Sequence, residues 1–217
     1  MIKYLVAILP IFFIILIFNI LDREKKNKKY LILILLFILG ALGSYITYRV
    51  ENKVGSYFPE MVDMNYFMAF IYAVFGVAIF EEGVKLFFIY FLTLKEKYKK
   101  YFSWINISVV CSMGFACFEN IVFYVSRGDL STAIGRMFTS IPSHMCFAIM
   151  MGLLFIKYKK TKKIRYLILS LIIPTLLHAL YNLPLYKGYY NAGIISIRYL
   201  FILLIYCMYK IYKLKDS

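Results

Sequence analysis

The sequence predicts an all-α membrane protein, a polytopic bundle of about seven spanning helices. Two observations carry that expectation. Of its 217 residues, 63% are hydrophobic, where soluble domains average roughly 45–50%. The excess is not spread evenly: it falls in long apolar runs separated by short basic ones, as spanning helices do. The mean hydropathy of +0.75 agrees.

Each run can be taken in turn. A bilayer core of roughly 30 Å needs about 20 apolar residues per helix. Seven runs approach that length, at 4–21, 30–48, 66–94, 103–126, 135–156, 164–183 and 194–212. The first follows Lys3 and is closed by Asp22-Arg23-Glu24-Lys25-Lys26 with no small-residue cleavage site, so it reads as a retained span. The third is longer than a span needs, so it tilts or begins as an interfacial turn. Pro142, in the fifth, is expected to open the helix near His144. There is no internal repeat, low-complexity stretch or linker. The expectation is one membrane domain over 1–217, with its polar core in 66–183.

Basic residues set an orientation. Of 26 Lys and Arg, 18 fall in the gaps 22–29, 95–102 and 157–165 and in the C-terminal tail, and seven fall on the alternate side. The positive-inside rule then places the N-terminus outside and the C-terminus in the cytoplasm. Loop 49–65, with Glu51, Glu60 and Asp63 against Arg49 and Lys53, becomes the largest outer segment. A net charge of +15 does not indicate nucleic acid here, because no soluble fold presents it. These charges face anionic membrane lipid instead. The four cysteines, Cys111, Cys117, Cys146 and Cys207, all lie in apolar runs and read as packing residues.

The informative residues are polar ones inside the runs. An ionisable side chain at mid-membrane costs about 2.5–3.5 kcal/mol on insertion scales and marks function. The set is Glu81, Glu82, Lys85, Glu119, His144 and His178, which includes both histidines of the chain. At 1.5 Å per residue Glu81, Glu119, His144 and His178 lie on the order of 7–20 Å from the outer boundary, so four helices can bring them to one level. Glu81 and Lys85 are four apart and share a face, as are His178 and Asn182, and Phe115 and Glu119. Gly114 permits close helix approach. A structural ion pair at Lys85, a packing role for His144 and a capping role for Asn182 are the plainer readings of single residues.

Peptide hydrolysis in a membrane needs water, a base and oxyanion donors. A carboxylate in an apolar pocket suits the base. His178 and Asn182, one turn apart, can donate to one oxygen. Alternatively Glu81, Glu119, His144 and His178 include enough ligands for a divalent metal such as zinc. Three glutamates against one lysine leave an excess negative charge that a cation or protonation would balance. No His-Glu-x-x-His helix is present, no Asp lies in a run, and Ser140 and Ser143 lack a Gly-x-Ser element. A proton- or ion-coupled transporter also uses Glu and His relays, but the repeats and paired broken helices of transporters are missing. A membrane sensor is a further class.

Glu81-Glu82-Gly83-Val84-Lys85 resembles the Glu-Glu-x-x-Lys motif of PrsW-type intramembrane proteases. Gly114-Phe115-Ala116-Cys117-Phe118-Glu119-Asn120 resembles their Phe-x-x-x-Glu motif. His144, and then His178-Ala179-Leu180-Tyr181-Asn182, are similar to the two that follow. The resemblance implies a multi-pass enzyme of a bacterial plasma membrane that makes the first cut in a single-span anti-sigma factor. That cut leads to activation of an extracytoplasmic-function sigma factor in envelope stress. Through a distant similarity to CAAX prenyl proteases it also implies Glu81 as base and His178 with Asn182 as oxyanion donors. It places Glu82, Glu119 and His144 among the catalytic residues, with Lys85 and Phe115 in support. Glu119 stands where the CAAX pattern has histidine, which leaves the water-activating partner open between Glu119, His144 and a metal, and argues against a CAAX-type peptidase.

Overall fold

The computed structural model describes residues 2–22, 27–60, 63–98, 100, 102–127, 130–187 and 191–215. The charged stretch Arg23-Glu24-Lys25-Lys26, and Lys99, lie outside the described residues. Among those described there is no strand, and seven helical segments are long and apolar enough to cross a membrane. They are Tyr4–Leu21, Lys29–Gly55, Tyr66–Leu92, Phe102–Val122, Leu130–Thr161, Ile164–Tyr186 and Ala192–Leu214, which match the seven apolar runs.

The helices are α1 (Ile2–Leu21), α2 (Asn27–Gly55), α3 (Tyr66–Ile71), α4 (Ile79–Leu92), α5 (Phe102–Arg127), α6 (Leu130–Phe138), α7 (Ser140–Thr161), α8 (Ile164–Tyr186) and α9 (Ala192–Lys215). Helix α5 is the axis, packed on α1, α2, α4, α6 and α7. Its most apolar stretch is 72% buried, against 17% for α1 and 22% for α9. The outer helices therefore present Leu9, Phe12, Phe13, Phe201 and Ile202 outward. Such faces are a liability in water and ordinary against lipid.

Three features depart from the apolar-run reading. Helix α2 continues seven residues past 48, because nothing before Gly55 stops it; Arg49, Glu51 and Lys53 are helical rather than in a loop. The third span is not uniform: α3 and α4 are joined by a π-helical stretch, Tyr72–Ala78. Its wide turns are a form that clusters at functional sites, and it ends three residues before Glu81. The fifth run is two helices, broken at Thr139 (φ −122°, ψ −71°). Pro142 does not open a helix beside His144. It is the third residue of α7, in a first turn whose amides have no intrahelical partner anyway.

Close backbone contacts hold α2 on α5. A Cβ on Gly40 would stand 2.1 Å from the Cys111 carbonyl oxygen, and one on Gly114 would stand 2.0 Å from that of Phe37. At the end of α1, buried Asp22 pairs with Lys29 and accepts from Ser103 Oγ (2.9 Å) and Asn106 Nδ2 (3.1 Å) of α5. Helix α7 closes on Lys162, in the left-handed region (φ 59°), whose N–H reaches the Tyr158 carbonyl at 2.8 Å. The next helix starts at Ile164, so α7 and α8 are antiparallel neighbours, which brings His144 towards His178.

Overpacking against backbone costs about 1–3 kcal/mol. Gly114→Ala should therefore lower the unfolding midpoint of the purified protein in detergent by several degrees. Gly135→Ala, where nothing lies within 4 Å of the added Cβ, should leave it unchanged.

Candidate active site

Four helices converge on one buried cluster. Helix α4 supplies Glu81, Glu82 and Lys85, which are 5%, 0% and 1% exposed. Lys85 Nζ donates to Glu82 Oε1 at 2.8 Å and lies 3.2 Å from His144 Nδ1 and 3.5 Å from Glu81 Oε2. An ammonium has three N–H donors; here two are taken by hydrogen bonds and the third side faces Glu81 at ion-pair distance. The Phe115 ring lies 4.1 Å from the same nitrogen, a cation–π contact strengthened by the absence of water. The i,i+4 pairing expected between Lys85 and Glu81 is thus the longer of its two carboxylate contacts.

Hydrogen-bond logic assigns the imidazoles. His144 Nδ1 faces an ammonium, so it accepts; Nε2 then carries the proton and donates to Glu119 Oε2 at 2.7 Å. His178 Nδ1 lies 3.1 Å from Glu82 Oε1. An ionised carboxylate only accepts, so Nδ1 carries the proton and Nε2 keeps its lone pair. The Phe147 ring stacks on His178 (centroids 4.9 Å, 21°), and the two imidazoles are 5.4 Å apart. Ser112 Oγ donates to the His144 carbonyl at 3.0 Å and fixes that turn of α7 on α5.

Glu119 has a second partner in Arg136, one of the seven basic residues counted on the outer side. Arg136, on α6, holds Glu119 Oε1 at 2.7 Å and donates from Nε to Asn120 Oδ1 at 2.7 Å. Asn120 in turn donates to the Ala7 carbonyl of α1 (3.1 Å). Glu51, expected in loop 49–65, is helical and lines a cavity with Glu81 and Glu119. Its spacing of four from Thr47 and seven from Ser44 was the available signal. With both included, four carboxylates face two cations, so the formal charge remains −2 with neutral histidines.

The two adjacent glutamates are not equivalent. Glu81 Oε2 and Glu82 Oε2 are both buried and accept no hydrogen bond, but Glu82 Oε1 serves both Lys85 and His178, and Glu81 has no such bond. Glu81 is also the shared member of two candidate metal-binding groups, Glu81–Glu119–His144 and Glu81–Glu82–His178. In each, the donor atoms lie within 4.8 Å of one another. Asn182 is brought less close: it is half-buried, and its amide donates to the Tyr186 hydroxyl at 3.2 Å.

Comparison with known proteins defines the class. A family model described as PrsW family intramembrane metalloprotease matches residues 28–210. Protease PrsW of Clostridioides difficile is 36% identical over 213 residues, covering 92% of this chain and 86% of the relative. Protease PrsW of Oceanobacillus iheyensis is 29% identical over 198 residues, covering 90% and 88%. Protease PrsW of Halalkalibacterium halodurans is 30% identical, covering 77% and 76%. No solved structure matches significantly. The chain is a multi-pass membrane endopeptidase, a hydrolase. It belongs to the PrsW family.

Removing one partner of a buried ion pair costs about 3–5 kcal/mol, because the other charge is stranded. Lys85→Met should therefore destabilise the protein strongly in a detergent melt. Lys85→Arg, which keeps the charge but not the compact three-donor geometry, should recover part of the loss.

Proposed function

We propose that Glu81 is the centre of peptide hydrolysis and that the protein makes the first cut in a single-span anti-sigma factor. In this reading the enzyme sits in a bacterial plasma membrane with its N-terminus outside and its C-terminus in the cytoplasm, and works as one protease domain. The cut falls on the extracytoplasmic side and starts the release of an extracytoplasmic-function sigma factor during envelope stress. The observation that carries the chemistry is Glu81 itself, a buried carboxylate whose Oε2 accepts no hydrogen bond and the residue common to both three-donor groups. A buried oxygen of that kind is costly unless it has work to do.

The residues divide the labour. Glu81 takes a proton from water as general base. Glu82, fully buried, holds Lys85 and His178 in place. Arg136 and His144 hold Glu119, the second carboxylate of the centre. Asn182 offers its amide to the oxyanion. A neutral His178 that donates to Glu82 has no second proton for an oxyanion, so its Nε2 lone pair suits a ligand role better. Donation of the other ring nitrogen to a carboxylate is the usual outer-shell arrangement of a metal-binding histidine.

The donor set fits a divalent metal such as zinc. Carboxylates and imidazoles are its ordinary ligands, and the excess negative charge favours a cation. Glu81 would hold it with Glu119 and His144, whose Nε2 would give up its proton on binding, or with Glu82 and His178. When bound, such an ion supplies Lewis acidity to the peptide carbonyl and to water.

The test is cleavage of a single-span anti-sigma factor by purified protein in liposomes, wild type beside Glu81→Ala, with and without a chelator. Glu81→Ala should insert and fold but lose cleavage; retained cleavage would sink the catalytic assignment. Loss in chelator as well assigns a metalloprotease, and loss only in the variant assigns glutamate-activated water. A wild type that cleaves no such substrate overturns the anti-sigma reading.

A further inference from the structure

The polar face of α2 has no part in the chemistry above, yet it points at it. Ser44, Thr47, Tyr48 and Glu51 recur at three- and four-residue intervals, so they share one side of the helix. Ser44 and Thr47 are each 4% exposed, in a helix that is apolar from Leu31 to Gly43. Thr47 Oγ1 donates to the Ser44 carbonyl at 3.1 Å, which leaves its lone pairs for another donor.

This face forms one wall of a cavity of about 20 Å³, and Glu81, Phe115 and Glu119 form the opposite wall. A polar cavity of roughly 10–15 Å³ with two to four partners is enough for one water. Two oxygens at its wall, Glu51 Oε1 and Glu81 Oε2, are buried and accept no hydrogen bond. One turn earlier in α2 the wall closes, because Gly40 and Gly114 bring the α2 and α5 backbones into contact. This glycine seal leaves no room between the two backbones on that side, and the other side runs towards the Gly55 end of α2.

We propose that this face of α2 is the route by which water reaches Glu81 and Glu119, with Thr47 and Glu51 as positioning residues along it. The proposal rests on the reading of Glu81 as a hydrolytic centre. It explains why a helix bearing none of the recognised motif residues carries buried hydroxyls and a carboxylate beside that centre. Peptide hydrolysis consumes one water per bond cut, with the hydroxyl going to the acyl carbon and a proton to the amine. A membrane enzyme must therefore supply water through protein.

Two measurements test it. Thr47→Cys and Glu51→Cys are reacted with a charged, water-soluble methanethiosulfonate in liposomes, beside Ile38→Cys on the outward apolar face (57% exposed) and Leu36→Cys beyond the seal (0% exposed). The native cysteines are buried and give little background. Thr47→Cys and Glu51→Cys should label about tenfold faster than both controls, since the charged reagent travels only through water. Equal rates overturn the route. In the cleavage assay Thr47→Val, which keeps the shape, should lower kcat by about tenfold at unchanged KM, as loss of a group acting on the reaction step does, and Thr47→Ser should restore it. An unchanged kcat in Thr47→Val overturns the positioning role. Labelling needs no substrate: fast labelling in a protein whose cleavage survives Glu81→Ala would sink the reading of Glu81 as the hydrolytic centre and leave the water route standing.

Discussion

The ammonium of Lys85 is the contact on which the polar core depends. It is 1% exposed and sits among two carboxylates, one imidazole and one aromatic ring. A lone charge at that depth would cost several kcal/mol. Here Glu82 Oε1 and His144 Nδ1 take its hydrogen bonds, Glu81 Oε2 adds an ionic contact at 3.5 Å, and Phe115 covers another side. Through those partners Lys85 ties α4 to α5 and α7, and Glu82 extends the tie to α8 through His178.

Everything that makes Glu81 distinctive follows from how that network is shared. Lys85 and His178 both spend their closest bonds on Glu82, and His144 spends its two nitrogens on Lys85 and Glu119. Glu81 is left with the weakest claim on the surrounding donors while being held beside them. A site composed only of mutually satisfied groups would be stable and inert. A carboxylate that no donor hydrogen-bonds, held beside donors committed elsewhere, is poised to take a proton or a cation. The second anchor, Arg136 to Glu119 and Asn120, reaches α1 through the Ala7 carbonyl. A peripheral helix is thereby coupled to the centre.

The helix scaffold serves this geometry by close approach. In lipid there is little hydrophobic drive between helices, so small residues and polar contacts set their distances. Gly40 and Gly114 let α2 and α5 touch, and the two-residue turn after α7 sets α8 beside it. The apolar exterior of α1 and α9 is then the face that lipid covers, and the PrsW family match spans most of this arrangement, over residues 28–210.

The spans were legible in the sequence because a bilayer demands about 20 apolar residues whatever the fold. The motif residues were legible because ionisable groups in such runs are rare: Glu81, Glu82, Lys85, Glu119, His144 and His178 all enter one cluster. Gly114 was likewise readable as a contact residue. What the sequence could not decide was partnership. Arg136 and Glu51 looked like loop charges, since periodicity does not say where a helix ends or which side chains cross a gap. The π-helical stretch before Glu81 left no compositional trace, and Pro142 looked like a kink rather than a first-turn residue. The difference between Glu81 and Glu82 is one of hydrogen bonds made across helices. Adjacent identical residues carry no such information, so only the packing of α4 against α5, α7 and α8 separated an organising glutamate from an under-bonded one.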